Sequence, residues 1–180
     1  GRLLRRSGQI NESSAAYRDA IRLATDVPTM ILVADVMQSQ QKFAESEQLL
    51  RKALREDPKN PTAFFLLGRA LTNRGSYDEA EKFLKTSLDV SPGSFVSYAL
   101  LGSLYTRRNK FEDAEKILMK ALQVVSINER RRLSQEFEFV GDGLVKAGRG
   151  QDAVRLYRQA IALDGNKSLL MNKLNKAQKG

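Results

Sequence analysis

The residues able to do chemistry are few, and what is missing narrows them further. Glu138 and Asp142 stand four apart, a spacing that sets two carboxylates on one helical face, where they can hold a metal ion weakly or simply face water. Arg130, Arg131 and Arg132 put three guanidiniums side by side, able to meet anionic groups of a nucleic acid, an acidic membrane surface or an acidic protein. Continued through Leu133 to Ser134, the same run has the form of a basic-directed kinase site, while Ser134 also reads as a plain helix N-cap. Against these stand zero histidines and zero cysteines, which remove the commonest general base, the thiol nucleophile, disulfides and thiolate metal ligands. No Ser-Lys or paired-carboxylate constellation emerges from the spacing. The expectation is therefore a chain that is not an enzyme and takes no metal or cofactor.

The elements that must position these side chains follow from a register that repeats every 34 residues: Leu67-Gly68 returns as Leu101-Gly102, Ala80 as Ala114, and Ser87 aligns with Ala121. A fixed period of this size means tandem helical pairs, each unable to bury its apolar face alone. Apolar residues at helical spacing mark first helices at Met30, Val33, Ala34 and Met37 and again at Phe64, Leu67, Gly68 and Leu71. Leu50, Ala53 and Leu54, then Leu84, Ser87 and Leu88, mark the second helices. Gly68, Gly102 and Gly141 fall in helix interiors, where glycine costs about 0.5–1 kcal/mol relative to alanine, so close approach of a partner helix is expected to offset the cost. Turns are predicted at Gly75-Ser76, Asn109-Lys110 and Gly148-Arg149-Gly150, and the four prolines, Pro28, Pro58, Pro61 and Pro92, punctuate the pairs. No run of 18 apolar residues exists, so no transmembrane segment is expected.

Taken together, these columns resemble the tetratricopeptide repeat family, whose pattern runs aromatic, Leu-Gly, Tyr, Ala, Phe, Ala, Pro over 34 residues. The repeat 61–94 carries Phe64, Leu67-Gly68, Leu71, Gly75, Tyr77, Ala80, Leu84, Ser87 and Pro92. The repeat 95–128 carries Tyr98, Leu101-Gly102, Tyr105, Phe111, Ala114, Leu118 and Ala121. An earlier repeat, 27–60, keeps Met30, Met37, Phe43, Leu50, Ala53 and Pro58 but has Ser46 where the family places its first alanine. Gly102 to Gly141 and Ala114 to Ala153 are both 39 apart, so five extra residues, 129–133, enter a fourth full repeat at 134–167 as a longer loop or an added helical turn. A partial repeat precedes these at 1–27, and 168–180 reads as a capping helix with Leu169, Leu170, Leu174 and Ala177 inward and Asn172, Lys173 and Lys176 outward. The resemblance implies one all-α array, a right-handed superhelical solenoid of helix-turn-helix repeats. Pentatricopeptide repeats, which read RNA, lack the Leu-Gly and Ala columns.

In that family, the first helices line a concave groove that holds extended peptides or partner helices. The resemblance therefore implies a protein-interaction scaffold or adaptor whose groove presents Asp35, Phe65, Arg69, Asn73, Ser103, Arg107, Glu138 and Asp142, with Ile31, Thr72, Ala99, Thr106 and Lys146 on the same faces. Phe65, with Leu66 and Leu100 behind it and Arg69 and Arg107 beside it, suits a peptide with an apolar anchor and an acidic group. The carboxylate clamp of chaperone-binding relatives is not reproduced, because Ile31, Asp35, Leu66, Val96 and Leu100 stand in its places; Leu32, Leu66, Leu100 and Phe139 likewise replace the asparagine ladder of sugar-transferring relatives. Of the net charge of +9, residues 127–180 hold eleven basic and six acidic side chains, so the alternative function is anion-directed binding through Arg130, Arg131 and Arg132. Nucleic acid is disfavoured as a partner because Phe137, Phe139, Tyr157 and Tyr105 fall on or near packing columns. The tripeptides Asn11-Glu12-Ser13 and Asn166-Lys167-Ser168 match the glycosylation pattern incidentally. The chain opens on Gly1 within a repeat, so it is expected to belong to a longer polypeptide or complex; the cytoplasm is favoured, with the periplasm as the alternative.

Overall fold

In a computed structural model of the protein, the described residues are 19, 22, 25–163 and 167–179. The partial repeat at 1–27, the first glycosylation tripeptide and Asn166 of the second lie largely or wholly outside them. Among the described residues run nine α-helices with defined bounds, and no strand: α1 Val27–Ser39, α2 Phe43–Glu56, α3 Pro61–Asn73, α4 Tyr77–Val90, α5 Phe95–Arg107, α6 Phe111–Val124, α7 Arg130–Lys146, α8 Gly150–Ala162 and α9 Lys167–Lys179. A short 3-10 turn, Ile127–Glu129, precedes α7. No described helix is long and apolar enough to cross a membrane. The structure divides into two units, Gly1–Ala80 and Glu81–Gly180.

Local chemistry explains the helix ends. Asp26 Oδ1 accepts from Thr29 N–H at 2.9 Å and Asn60 Oδ1 from Ala63 N–H at 3.0 Å, each capping a helix whose first turn contains a proline with no N–H to satisfy. Within each pair the chain reverses through one residue with positive φ, at Gln41 (63°), Gly75 (81°), Asn109 (56°) and Gly148 (75°). Each turn closes in the same way: Lys42 N–H donates to Met37 O, Ser76 to Leu71, Lys110 to Tyr105 and Arg149 to Leu144. Three of these turns stand where they are expected, on glycine or asparagine; Gln41 has neither advantage and adopts the left-handed region because the same backbone closure requires it.

In the first unit, α1 packs on α2 and α3, and α2 on α3. Its core is Met30, Ala34, Met37, Leu50, Ala53, Leu67 and Leu71, all essentially inaccessible. Buried among them, Ser46 Oγ donates to Ala34 O at 3.0 Å and accepts from Gln38 Nε2 at 3.0 Å, and the same amide donates to Leu66 O at 2.8 Å. The serine that breaks the alanine column is therefore part of a buried network whose polar atoms are paired, as burial demands.

In the second unit, α5 packs on α6, both pack on α7, α7 on α8 and α8 on α9. Ala114, Ala121, Ala153 and Ala160 are fully buried, as small residues at helix crossings must be. Gly141 and Gly143 permit close approach on α7: a Cβ would lie 2.8 Å from Tyr157 Cε1 at the first and 2.8 Å from Thr106 Cγ2 at the second. The five extra residues are taken up by the 3-10 turn and by an α7 of 17 residues where the other first helices have 13. Ser126 and Glu129 form a capping box here, with Glu129 Oε2 accepting from Ser126 N–H at 3.1 Å. This corrects the reading of Ser134 as an N-cap or kinase site. The helix begins four residues earlier, and Ser134 is buried inside it with its hydroxyl donating to Ala160 O at 2.8 Å.

Candidate functional site

The eight residues expected to line a groove fall in two sets, four in each unit. In the first unit, Arg69 on α3 pairs with Asp35 on α1, donates through Nε to Gln38 Oε1 at 2.6 Å, and lies over the half-buried Phe65 ring with 5.6 Å to its centroid. Asn73 donates through Nδ2 to Arg69 O at 2.9 Å. Asp35, Phe65 and Asn73 are thus each gathered around Arg69. Arg69 is already engaged on three sides, which differs from its expected position as a cation open to a ligand. Thr72 and Thr106 are buried and donate to Gly68 O and Gly102 O, so neither presents a hydroxyl to a groove.

In the second unit the acidic pair is not open either. Lys173, expected on the outer face of the capping helix, is half-buried, and its ammonium donates to Glu138 Oε1 at 2.7 Å and to Asp142 Oδ1 and Oδ2 at 2.8 and 2.7 Å. Tyr157 donates its hydroxyl to the same Asp142 Oδ1 at 2.8 Å. A lysine on α9 thus fills the place where Glu138 and Asp142 would receive a cation. Burial alone would pull the Lys173 ammonium down, but the hydrogen bonds to Asp142 and Glu138 outweigh it and hold its pKa above the usual lysine value. Burial and the bond to Asp142 both push the Tyr157 phenol up, so it remains a neutral donor.

Beside this pair, α5, the start of α6 and α7 enclose a concavity of about 440 Å³ lined by Thr106, Arg107, Phe111, Phe139, Asp142 and Lys146 among others. It brings together two of the expected site residues, Arg107 and Asp142. It also contains a residue missed by sequence reasoning: Phe139, grouped there with the packing columns, is 43% exposed. Its neighbour two positions earlier, Phe137, is fully buried, and two residues turn a helix by about 200°, so the two rings must face opposite sides. That alternation was the available signal. Arg107 and Lys146 are exposed, and no ion pair engages either among the described residues. Ser103 is half-buried on α5.

The three consecutive arginines do not act as a loop. They occupy the first turn of α7, where successive side chains diverge by about 100°. Arg132 lies over the Phe95 ring, 4.4 Å from its centroid, while Arg130 and Arg131 border a separate concavity with Ile127, Asn128, Ala162 and Leu163. Arg132 is therefore withdrawn from the basic patch by packing on an aromatic face.

Sequence models described as tetratricopeptide repeat match residues 38–94 and 96–125. The chain is a tetratricopeptide repeat protein. Solved structures with this fold include MamA from Desulfovibrio magneticus RS-1, residues 41 to the end, at 16% identity over 91% of this chain and 90% of that one, with a TM-score of 0.67. TTC0263, a thermophilic TPR protein of Thermus thermophilus, aligns at 15% identity over 99% and 95% of the two chains with a TM-score of 0.63. YrrB, described as a TPR protein with an unusual peptide-binding site, aligns at 20% identity over 83% and 75% with a TM-score of 0.60. No curated protein matches the sequence. These likenesses establish the fold, an all-α tetratricopeptide array. As members of this family bind protein partners, the array is a protein-interaction scaffold.

Proposed function

We propose that the array acts without catalysis, docking a peptide or partner protein on the exposed faces of its first helices. The observation that carries this reading is a contrast within the second unit between ion-paired charge and two cations gathered without ion pairs around one concavity. Arg155 on α8 is tied to Glu115 on α6 at 2.5 Å, and Arg149, just before α8, to Glu112 on α6 at 2.7 Å. On the first helices α5 and α7, Arg107, Lys146 and Phe139 have no such partners and open on one concavity. Charges and an aromatic ring left unpaired around a depression supply what a partner must bring to gain affinity, a desolvated anchor and complementary charge.

The test is site-specific cross-linking. With a photoreactive phenylalanine analogue in place of Phe139, partner adducts are expected in cells. The same analogue in place of Met119, an exposed residue of the second helix α6, is expected to give few. Equal labelling from both positions would reject the assignment of the binding face.

A further inference from the structure

We infer that the concavity between α5 and α7 recognises a peptide segment in which an apolar side chain stands next to a carboxylate, the apolar group meeting Phe139 and the carboxylate meeting Arg107 and Lys146. This rests on the proposed function and specifies its ligand. Phe139 is the only aromatic side chain among the described residues that is exposed rather than buried or half-buried. An isolated exposed ring would mean little, but this one shares its depression with two cations that lack an ion-pair partner.

Charge decides the polarity of the ligand. Three ionisable side chains line the depression: Arg107, Lys146 and Asp142. Asp142 opposes these cations, but its oxygens are already held by the Lys173 ammonium and the Tyr157 hydroxyl. Lys173 is shared between Asp142 and Glu138, so these three side chains keep one negative charge among them, and against the two cations Arg107 and Lys146 the depression still presents a net positive field over an aromatic surface. An arginine and a lysine bracketing an apolar contact favour a carboxylate-bearing ligand and repel a basic one. A phosphodiester strand would also meet the two cations. It would need further cations and stacking rings to be tracked along the surface, and a single ring with two charges favours a short peptide instead.

The experiment uses the whole chain and fluorescein-labelled twelve-residue peptides whose Gly-Ser flanks carry Leu-Phe-Asp-Glu, Leu-Phe-Lys-Lys or Gly-Ser-Asp-Glu at the centre, with a twelve-nucleotide oligo-dT as a fourth probe. Fluorescence anisotropy is expected to show binding of the first peptide, at least tenfold weaker binding of the other two, and a loss of affinity on raising salt. Arg107→Glu with Lys146→Glu, and separately Phe139→Ala, should each weaken the first peptide at least tenfold while circular dichroism stays unchanged; these side chains are exposed, so folding is not at stake. Equal binding of all three peptides, no binding of the first, or tighter binding of the oligonucleotide would overturn the inference. Cross-linking from residue 139 that persists in any of those cases would sink this ligand assignment alone and leave the binding face standing.

Discussion

Lys173 and Asp142, 31 residues apart in the chain, meet in a two-pronged ion pair, Nζ lying 2.8 Å from Oδ1 and 2.7 Å from Oδ2, with Glu138 Oε1 another 2.7 Å away. The contact fastens α9 to α7 and removes a negative charge from the candidate site in one step. Lys173→Met should therefore have two effects. It leaves two partly buried carboxylates without their cation, at an expected cost of about 1–2 kcal/mol in urea unfolding, whereas Lys176→Met on the exposed side of α9 should cost almost nothing. It should also weaken the acidic peptide, because Asp142 then repels it. Because the Lys173 pKa is raised above its ordinary 10.5, its stabilisation is fully present below that pH and lost as pH rises through the raised value. The difference between wild type and Lys173→Met should hold from neutral pH up to about 10 and shrink only in stronger alkali.

Gln41 is the least suitable residue for its place. It occupies the left-handed position that Gly75 and Gly148 hold in the equivalent turns, at a cost of about 1 kcal/mol for a side chain bearing a Cβ. Gln41→Gly should raise stability by about 0.5–1 kcal/mol, the gain being reduced by glycine's greater freedom in the unfolded chain. Gly75→Ala and Gly148→Ala should each lose a similar amount, although open space surrounds both positions, because the penalty lies in the backbone and not in packing. A destabilised Gln41→Gly would show that its side chain contributes more than the strained dihedral costs.

How far the chain could be read in advance is clearest at these same positions. Asn109 and the glycines announce their turns because their side chains tolerate positive φ; glutamine does not, so the turn at Gln41 is visible only through the 34-residue register. The core columns were legible for the same reason, since Met30, Leu67, Leu101 and Ala114 recur with the helical period and burial enforces that period. What escaped was set by contacts between distant segments. Lys173 reads as an outward lysine on its own helix, and only the approach of α7 turns it into a counter-ion. Arg132 reads as one of three equal charges until Phe95 lies beneath it. Phe139 is hydrophobic, and pattern reasoning assigns a hydrophobic residue to the core unless its helical angle is checked against Phe137.

Glycines in helix interiors divide by what faces them. At Gly102, an added Cβ would lie 3.1 Å from Leu118 Cδ2, the end of a flexible side chain; at Gly141 it would lie 2.8 Å from the Tyr157 ring, which is buried and held at its hydroxyl by Asp142. Gly102→Ala should be nearly neutral, because better helix propensity offsets a small shift of Leu118. Gly141→Ala should cost about 1–3 kcal/mol, because the ring cannot retreat without breaking its hydrogen bond. Thermal unfolding of the two variants side by side checks the ranking, and equal melting temperatures would mean that the Tyr157 ring is freer than its contacts imply.

Glu136 on α7 supplies a test of opposite sign to that of Lys173. Burial raises its pKa above the ordinary glutamate value of 4.5, with Arg132 opposing only in part while it lies over Phe95. A carboxyl whose pKa is raised on folding binds protons more readily in the native state, so at neutral pH its charge weakens the fold, and the penalty is relieved as pH falls through the raised value. Glu136→Gln should therefore raise the melting temperature at pH 7, and the advantage should fade as pH falls towards 4.5, where the native glutamate becomes protonated as well. Arg132→Ala should enlarge the benefit of Glu136→Gln, since it removes a positive charge that favours the ionised carboxylate. An advantage of Glu136→Gln that stays constant from pH 7 to about pH 4 would mean that the gain comes from packing and not from the buried charge.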